Sequence, residues 1–237
     1  MTDKNLWDYW GQKKSYNKEK LRLYYHIRNR NFHWLASLSL SLLKTNENIR
    51  ILKTDLWNEA KKNETFFINR KEFKYGIDIS NNICHLAKSK HPHLPIIQGN
   101  IGELPFPNSS FDLIWDISTI DHYENPEKAI HEYYHTLKPG GVLLLVVENP
   151  FCISYPITKL QSFFGRHVPF KTFLPSRILN ICKKAGFEIT DSLKTNVHLP
   201  TFIVYPLEKG GLLEKINRGQ NFFWQFCKKY FVVLARK

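Results

Sequence analysis

The stretch from residue 96 to residue 150 constrains this chain more than any other. Three apolar runs, Leu94–Ile97, Phe111–Trp115 and Val142–Val147, are short, rich in branched side chains and bounded by turn-forming residues. Such runs read as strands buried on both faces of a parallel sheet. Between the last two lies Asn125–Leu137, a helical stretch that ends in Lys138-Pro139-Gly140-Gly141. Strand, helix, tight turn and strand make a crossover unit. In open sheets of this kind ligands sit at the carboxyl ends of the strands, which directs attention to Asn100–Ile101 and Asp116–Tyr123.

The remainder of the chain extends the same pattern. Ile49–Thr54 and Phe73–Ile79 read as two earlier strands, with Asn81–Ser89 a helix behind a Ser80 cap. Pro175–Ala185 is a further helix, and Phe187–Thr195 and Tyr230–Arg236 are two later strands. Alternating strands and helices predict one α/β domain, a doubly wound, seven-stranded, mostly parallel sheet, over residues 46–237. Irregular insertions are expected near 149–174 and 197–228. Residues 1–45 form an N-terminal helical arm or cap, because Lys18–Leu43 repeats apolar and aromatic residues at spacings of three and four.

Charge is distributed unevenly along the 237 residues. The net charge is +13, yet residues 51–150 hold 10 basic and 13 acidic side chains, whereas residues 1–50 hold 10 and 4 and residues 151–237 hold 14 and 4. A slightly acidic core between basic flanks favours an anionic partner: a phosphorylated small molecule, RNA, or peripheral contact with an anionic membrane. No run approaches the roughly 18 apolar residues needed to span a bilayer. The polar N-terminus does not read as a secretory signal. Cys84, Cys152, Cys182 and Cys227 are scattered, as thiols of a reducing compartment are, and the expectation is a cytoplasmic protein.

An acidic residue at the end of the second strand is placed to accept both hydroxyls of a ribose, and Asp78 in Gly76-Ile77-Asp78-Ile79-Ser80 is that residue. Gly76 inside a strand suggests a close approach to the backbone. Three motifs in order resemble those of class I S-adenosylmethionine-dependent methyltransferases, in the small-molecule (type 11-like) branch that includes quinone and sterol methyltransferases. They are Gly76-Ile77-Asp78-Ile79-Ser80, then Glu103-Leu104-Pro105-Phe106-Pro107 with Ser110-Phe111-Asp112, then Leu137-Lys138-Pro139-Gly140-Gly141. The likeness runs over roughly residues 45–237 and implies a Rossmann-like methyltransferase fold closed by antiparallel strands, with S-adenosyl-L-methionine as cofactor. It implies that Asp78 holds the ribose, that Ile79 lies on the adenine with Asn100 and Ile101 at its edge, and that Asp116 lines the methionine part.

One departure from that family stands out. Its first motif is an acidic residue followed by a glycine-rich turn, and this chain has Lys53-Thr54-Asp55-Leu56-Trp57-Asn58-Glu59-Ala60, without a glycine. Side chains there crowd a cofactor lying on the backbone unless the turn is rebuilt. Asp55 is then the candidate to hold the methionine ammonium and Trp57 the aromatic wall near the sulfonium. The competing reading is a methyltransferase-like binding or scaffold protein that has lost its cofactor.

Methyl transfer depends chiefly on positioning, and a base is needed only where the acceptor must lose a proton. Asp121, His122 and Tyr123, after the fourth strand, are the candidate catalytic residues facing a small-molecule acceptor, and His122 titrates in the useful range. Tyr16, Tyr155, Arg166 and His167 come from segments that cover such sites. His131-Glu132-Tyr133-Tyr134-His135 matches a zinc-protease pattern. It lacks a third ligand on a following helix, so no metal is expected. RNA as substrate is disfavoured by the absence of Pro-Cys or Asn-Pro-Pro-aromatic sequences, only Asn149-Pro150-Phe151 being present.

Overall fold

The computed structural model describes residues 5, 8, 22–44, 48–61, 73–164, 170–197, 206–219 and 225–237. Their elements in chain order are α1 (Arg22–Ser41), β1 (Arg50–Lys53), α2 (Trp57–Lys61), β2 (Phe73–Asp78), α3 (Asn81–Lys90), β3 (Ile96–Gln98) and β4 (Phe111–Ile117). Then come α4 (Pro126–Thr136), β5 (Leu137–Glu148), α5 (Tyr155–Phe163), α6 (Pro175–Lys184), β6 (Glu188–Val197), α7 (Leu212–Arg218) and β7 (Lys228–Arg236). The seven strands form one sheet in the order β3-β2-β1-β4-β5-β7-β6. Strands β1 to β5 pair in parallel, and β7 runs antiparallel to β5 and β6.

Strand parity sorts the core into two layers. Leu52, Ile114, Leu143, Leu145 and Val233 pack under Ala129, Ile130 and Tyr133 of α4 and Ile178 and Ile181 of α6. Their sequence neighbours Ile51, Leu113, Trp115, Leu144 and Val232 face the other way, onto Phe32, Leu35 and Ala36 of α1. The indole N–H of Trp115 donates to Ser39 Oγ at 3.1 Å, satisfying its one donor against that helix. The expected doubly wound sheet is the observed one, with helices on both faces.

Two details differ from the sequence reading. Leu94–Ile97 was expected to be a buried strand, but β3 has three residues and its side chains are partly or wholly exposed, because it is the edge of the sheet. The Lys138-Pro139-Gly140-Gly141 turn lies within β5, which begins at Leu137 and shifts register against β4 between Phe111 and Leu113. Gly140 takes φ +78 there, a conformation that disfavours other residues. Lys138 Nζ reaches both oxygens of Asp112 at 2.9 and 2.8 Å, and the Arg50 backbone N–H donates to the same carboxylate at 2.9 Å. Two of the three recognisable motifs are thus tied to each other at the amino ends of the strands, far from any ligand edge.

Among the described residues of the insertions, Ile27 of α1 packs on Leu213 and Ile216 of α7. Arg30 bridges both oxygens of Glu208 at 2.7 and 2.9 Å. Tyr16, Arg166, His167 and the aromatic run Phe222-Phe223-Trp224 lie outside the described residues. No helix among the described residues is long and apolar enough to cross a membrane.

Candidate functional site

A cleft with about 540 Å³ of empty space opens at the carboxyl ends of β1, β2, β3 and β4. Its walls are Thr54, Asp55 and Trp57 after β1, Asp78 and Ile79 at the end of β2, Gly99, Asn100 and Ile101 after β3, and Ser118, Thr119, His122 and Tyr123 after β4.

Asp78 is the hinge of the cleft. Its Oδ1 accepts the Ser80 backbone N–H at 2.9 Å, and its Oδ2 accepts the Leu56 N–H at 3.1 Å, so one carboxyl joins the β1 loop to the β2 loop. Burial, followed by the nearby charge of Asp55, pushes this carboxyl up to about 7. Ser80 then caps α3, its Oγ accepting from the Ile83 N–H at 3.3 Å and donating to Asp8 at 2.6 Å. Asn100 folds its Oδ1 back onto the Gly102 N–H at 2.8 Å, which shapes the β3 wall.

The glycine-free loop after β1 is held by a buried lysine. The Lys53 ammonium is fully buried and contacts Glu59 Oε2 at 3.0 Å, Asp55 Oδ2 at 3.5 Å and the Asp55 carbonyl. Burial alone would lower its pKa; Glu59 and Asp55 outweigh that and hold it above the ordinary lysine value. Three N–H donors meet three acceptors. Asp55 Oδ1 also accepts the Trp57 N–H at 2.9 Å, starting α2. The chain therefore turns without glycine because an ammonium gathers the backbone carbonyl and two carboxylates around it. Lys53 carries no sequence motif; a lysine ending an apolar strand, with acids two and six residues on, is the signal that was there.

Of the eleven residues expected to form the site, eight line this cleft: Asp55, Trp57, Asp78, Ile79, Asn100, Ile101, His122 and Tyr123. Three lie elsewhere. At Gly76 the close approach is that of Leu56: a Cβ there would sit 2.5 Å from Leu56 Cδ2, so this glycine admits a buried side chain of the β1 loop. Asp116 is fully buried, accepting the N–H groups of Thr119 and Ile120 at 2.9 and 3.2 Å and the Tyr133 hydroxyl at 2.7 Å. It braces the turn beneath the cleft, and burial raises its carboxyl to about 6 against those hydrogen bonds. Asp121 is also fully buried; Oδ2 accepts the Glu148 N–H at 3.0 Å, and its carbonyl accepts the Lys171 N–H at 2.6 Å. Burial holds its carboxyl well above the ordinary range.

Ser118 and Thr119 are wall residues inside the expected Asp116–Tyr123 segment that no sequence signal singled out. Ser118 has φ +60, uncommon for a residue with a Cβ, and its buried Oγ has no hydrogen-bond partner among the described residues. Thr119 Oγ1 is 3.1 Å from Thr54 Oγ1, joining the β4 turn to the β1 loop. His122 stands 6.4 Å, ring to ring, from Phe170 of the insertion.

The His131–His135 pair stacks on α4, with the two Nε2 atoms 3.2 Å apart, but Glu132 is turned away and accepts the Leu104 N–H at 3.1 Å. Among the described residues no three His, Cys, Asp or Glu side chains converge as a metal centre requires.

Residues 46–145 match the model of a methyltransferase domain family. The chain is similar to a probable S-adenosylmethionine-dependent methyltransferase of Mycolicibacterium smegmatis, 29% identical over 124 residues that cover 50% of this chain and 44% of that protein. It is also similar to the ubiquinone/menaquinone biosynthesis C-methyltransferase UbiE of Psychromonas ingrahamii, 34% identical over 97 residues, 38% of each chain. The matches thus span less than half the length of these relatives. In fold it resembles a solved structure from Thermotoga maritima, a SAM-dependent methyltransferase described as a possible histamine N-methyltransferase. The TM-score is 0.69 at 16% identity, covering 100% of this chain and 99% of that one.

Proposed function

We propose that the protein is an S-adenosylmethionine-dependent methyltransferase that methylates a small acceptor, anionic or membrane-associated: residues 46–145 match a methyltransferase domain family, and the chain is similar to a probable S-adenosylmethionine-dependent methyltransferase. The observation that carries the reading is the cleft itself, since the matched residues 46–145 supply every one of its walls. S-adenosylmethionine, when bound, supplies an electrophilic methyl group.

The chain's own residues suit that cofactor. Asp78 offers the free lone pairs of a carboxylate already fixed by two backbone N–H groups, which suits a ribose diol. Ile79 and Ile101 are apolar walls for a flat base, and the Asn100 amide edges them. Asp55 and Trp57 flank the β1 loop, where an ammonium and a sulfonium are best received. The Ser118 hydroxyl is an additional polar group for the methionine part. His122 and Tyr123 are the groups for the acceptor: a neutral imidazole takes a proton from an acceptor hydroxyl or amine when one must leave. Asp121 contributes by fixing the turn that carries His122, because its buried Oδ2 accepts the Glu148 N–H and its carbonyl accepts the Lys171 N–H. The unit reads as cytoplasmic, supported by four free cysteines, three of them buried.

Calorimetric titration with S-adenosylmethionine or its demethylated product tests the proposal. We expect one site, abolished by Asp78→Ala and weakened by Asp55→Ala. Absence of binding at high micromolar cofactor would sink the enzyme reading, and full binding by Asp55→Ala would remove the role given to Asp55.

A further inference from the structure

Of the nine large hydrophobic side chains exposed among the described residues, seven lie between Phe151 and Leu174, in the insertion after β5. They are arranged. Ile153, Ile157, Leu160 and Phe164 recur at intervals of four, three and four, the repeat of one helical stripe, and Phe163 stands beside them at 84% exposure. The stripe faces outward. The side of α5 turned to the protein carries polar groups instead: buried Thr158, whose hydroxyl donates to the Ser154 carbonyl at 3.2 Å, and Lys159, which donates to the Phe170 carbonyl at 2.6 Å. A helix packed on a globular core shows the reverse arrangement. Phe226, itself exposed, is joined to the patch by the Ile153 N–H, which donates to its carbonyl at 2.7 Å.

Charge identifies the occupant. From Asn149 to Phe187 the sequence has no aspartate or glutamate and six basic residues, Lys159, Arg166, Lys171, Arg177, Lys183 and Lys184. Lys194 stands 5.5 Å from the ring of exposed Phe151. A second copy of the chain would bring the same acid-free stretch and another +13 against it, which repels. An outward apolar stripe in an acid-free, basic stretch of sequence, with Lys194 beside Phe151, matches the interface of a bilayer with anionic lipids, where apolar side chains enter the headgroup–acyl boundary and cations meet phosphate.

We propose that this face of α5, with Ile153 and Phe226 at its edge, docks the protein on an anionic lipid bilayer. The helix that carries the docked face borders the cleft through its inner side. Tyr155 of α5 lies 5.8 Å from Phe170, and Phe170 lies 6.4 Å from His122 in the cleft wall. Docking therefore holds the cleft within one helix of a membrane in which a lipid-borne acceptor is concentrated. The docking surface stands independently of catalysis; its pairing with an acceptor rests on the methyltransferase reading above.

The test is co-sedimentation of the full chain with phosphatidylcholine vesicles, with and without phosphatidylglycerol. Binding is expected only when phosphatidylglycerol is present, weakening as salt is raised. The pair Leu160→Ser and Phe163→Ser should lower partitioning at least about tenfold and leave the melting temperature and the cofactor titration unchanged. No binding to anionic vesicles, or equal binding by the variant, would overturn the proposal. So would a concentration-dependent dimer that the same substitutions abolish while vesicles bind nothing. Vesicle binding by a protein that takes no cofactor would keep the docking surface and remove the methyltransferase reading.

Discussion

The loop after β1 and the turn after β4 lie side by side on the cleft wall, joined through Thr54 and Thr119, and solve the same problem by opposite chemistry. Each must reverse the chain sharply at the edge of a parallel sheet while leaving room for a ligand. After β4 the device is an acid: Asp116 collects two backbone N–H groups and a tyrosine hydroxyl, and its high carboxyl pKa keeps the cost of burial small. After β1 the device is a cation: Lys53 collects a carbonyl and two carboxylates. An acid brace can shed its charge by taking up a proton. An ammonium enclosed by two carboxylates keeps its charge, so that loop depends on the completeness of its ion cluster.

The largest effect should come from breaking that cluster. Lys53→Met leaves Glu59 buried without its counter-ion and should cost about 3–5 kcal/mol, read as a fall in the urea midpoint. Adding Glu59→Leu should recover most of it, since an apolar pair of similar size removes both charges.

The acid brace makes a pH prediction. The folded protein holds a proton on Asp116 up to about pH 6, whereas an unfolded aspartate releases it near pH ~4. Between those values the native state binds more protons than the unfolded state, so this group's contribution to stability falls as pH rises through the window. Asp116→Asn mimics the protonated acid. Relative to wild type it should gain stability between pH 4 and 7 by on the order of 2 kcal/mol, measured by denaturation at each pH; a flat difference would show that Asp116 is ionised throughout.

Tyr133→Phe should cost about 1–2 kcal/mol by leaving Asp116 Oδ2 without its hydroxyl donor. Smallest is Ser118→Gly, which relieves the left-handed backbone and should change stability by at most about 1 kcal/mol in the stabilising direction. The same change removes a hydroxyl from the cleft wall and should weaken cofactor binding.

The contrast between the two turns also explains what could be read in the sequence. Strands β1 to β7 were legible because their apolar runs and bounding turn residues are local signals, and eight of the expected site residues line the cleft because each follows a strand end in that topology. Lys53 was missed because a lysine at a strand end ordinarily reads as exposed, and its burial depends on Glu59 and on the sheet above it. Gly76 was given to the cofactor because the sequence cannot say which atoms approach a glycine; here they belong to Leu56, twenty positions away. Asp116 and Asp121 fall within the expected ligand segment, but the side each carboxyl takes is decided by the left-handed Ser118 and by the partners waiting inside. The outward stripe on α5 was hidden as well, since an aromatic insertion reads the same whether its apolar side faces in or out.

The central claim is that a loop built on a buried ammonium still presents a working cofactor cleft. The most direct measurement is calorimetric titration of S-adenosylmethionine's demethylated product into wild type and into the Lys53→Met, Glu59→Leu double variant, once urea denaturation shows that the variant is folded. Saturable one-site binding by wild type, weakened at least about tenfold in the folded variant, is the predicted result, because the ion cluster fixes the Asp55 carbonyl and carboxylate from which Trp57 starts α2. Absence of binding by wild type, or equal affinity in both proteins, would contradict it.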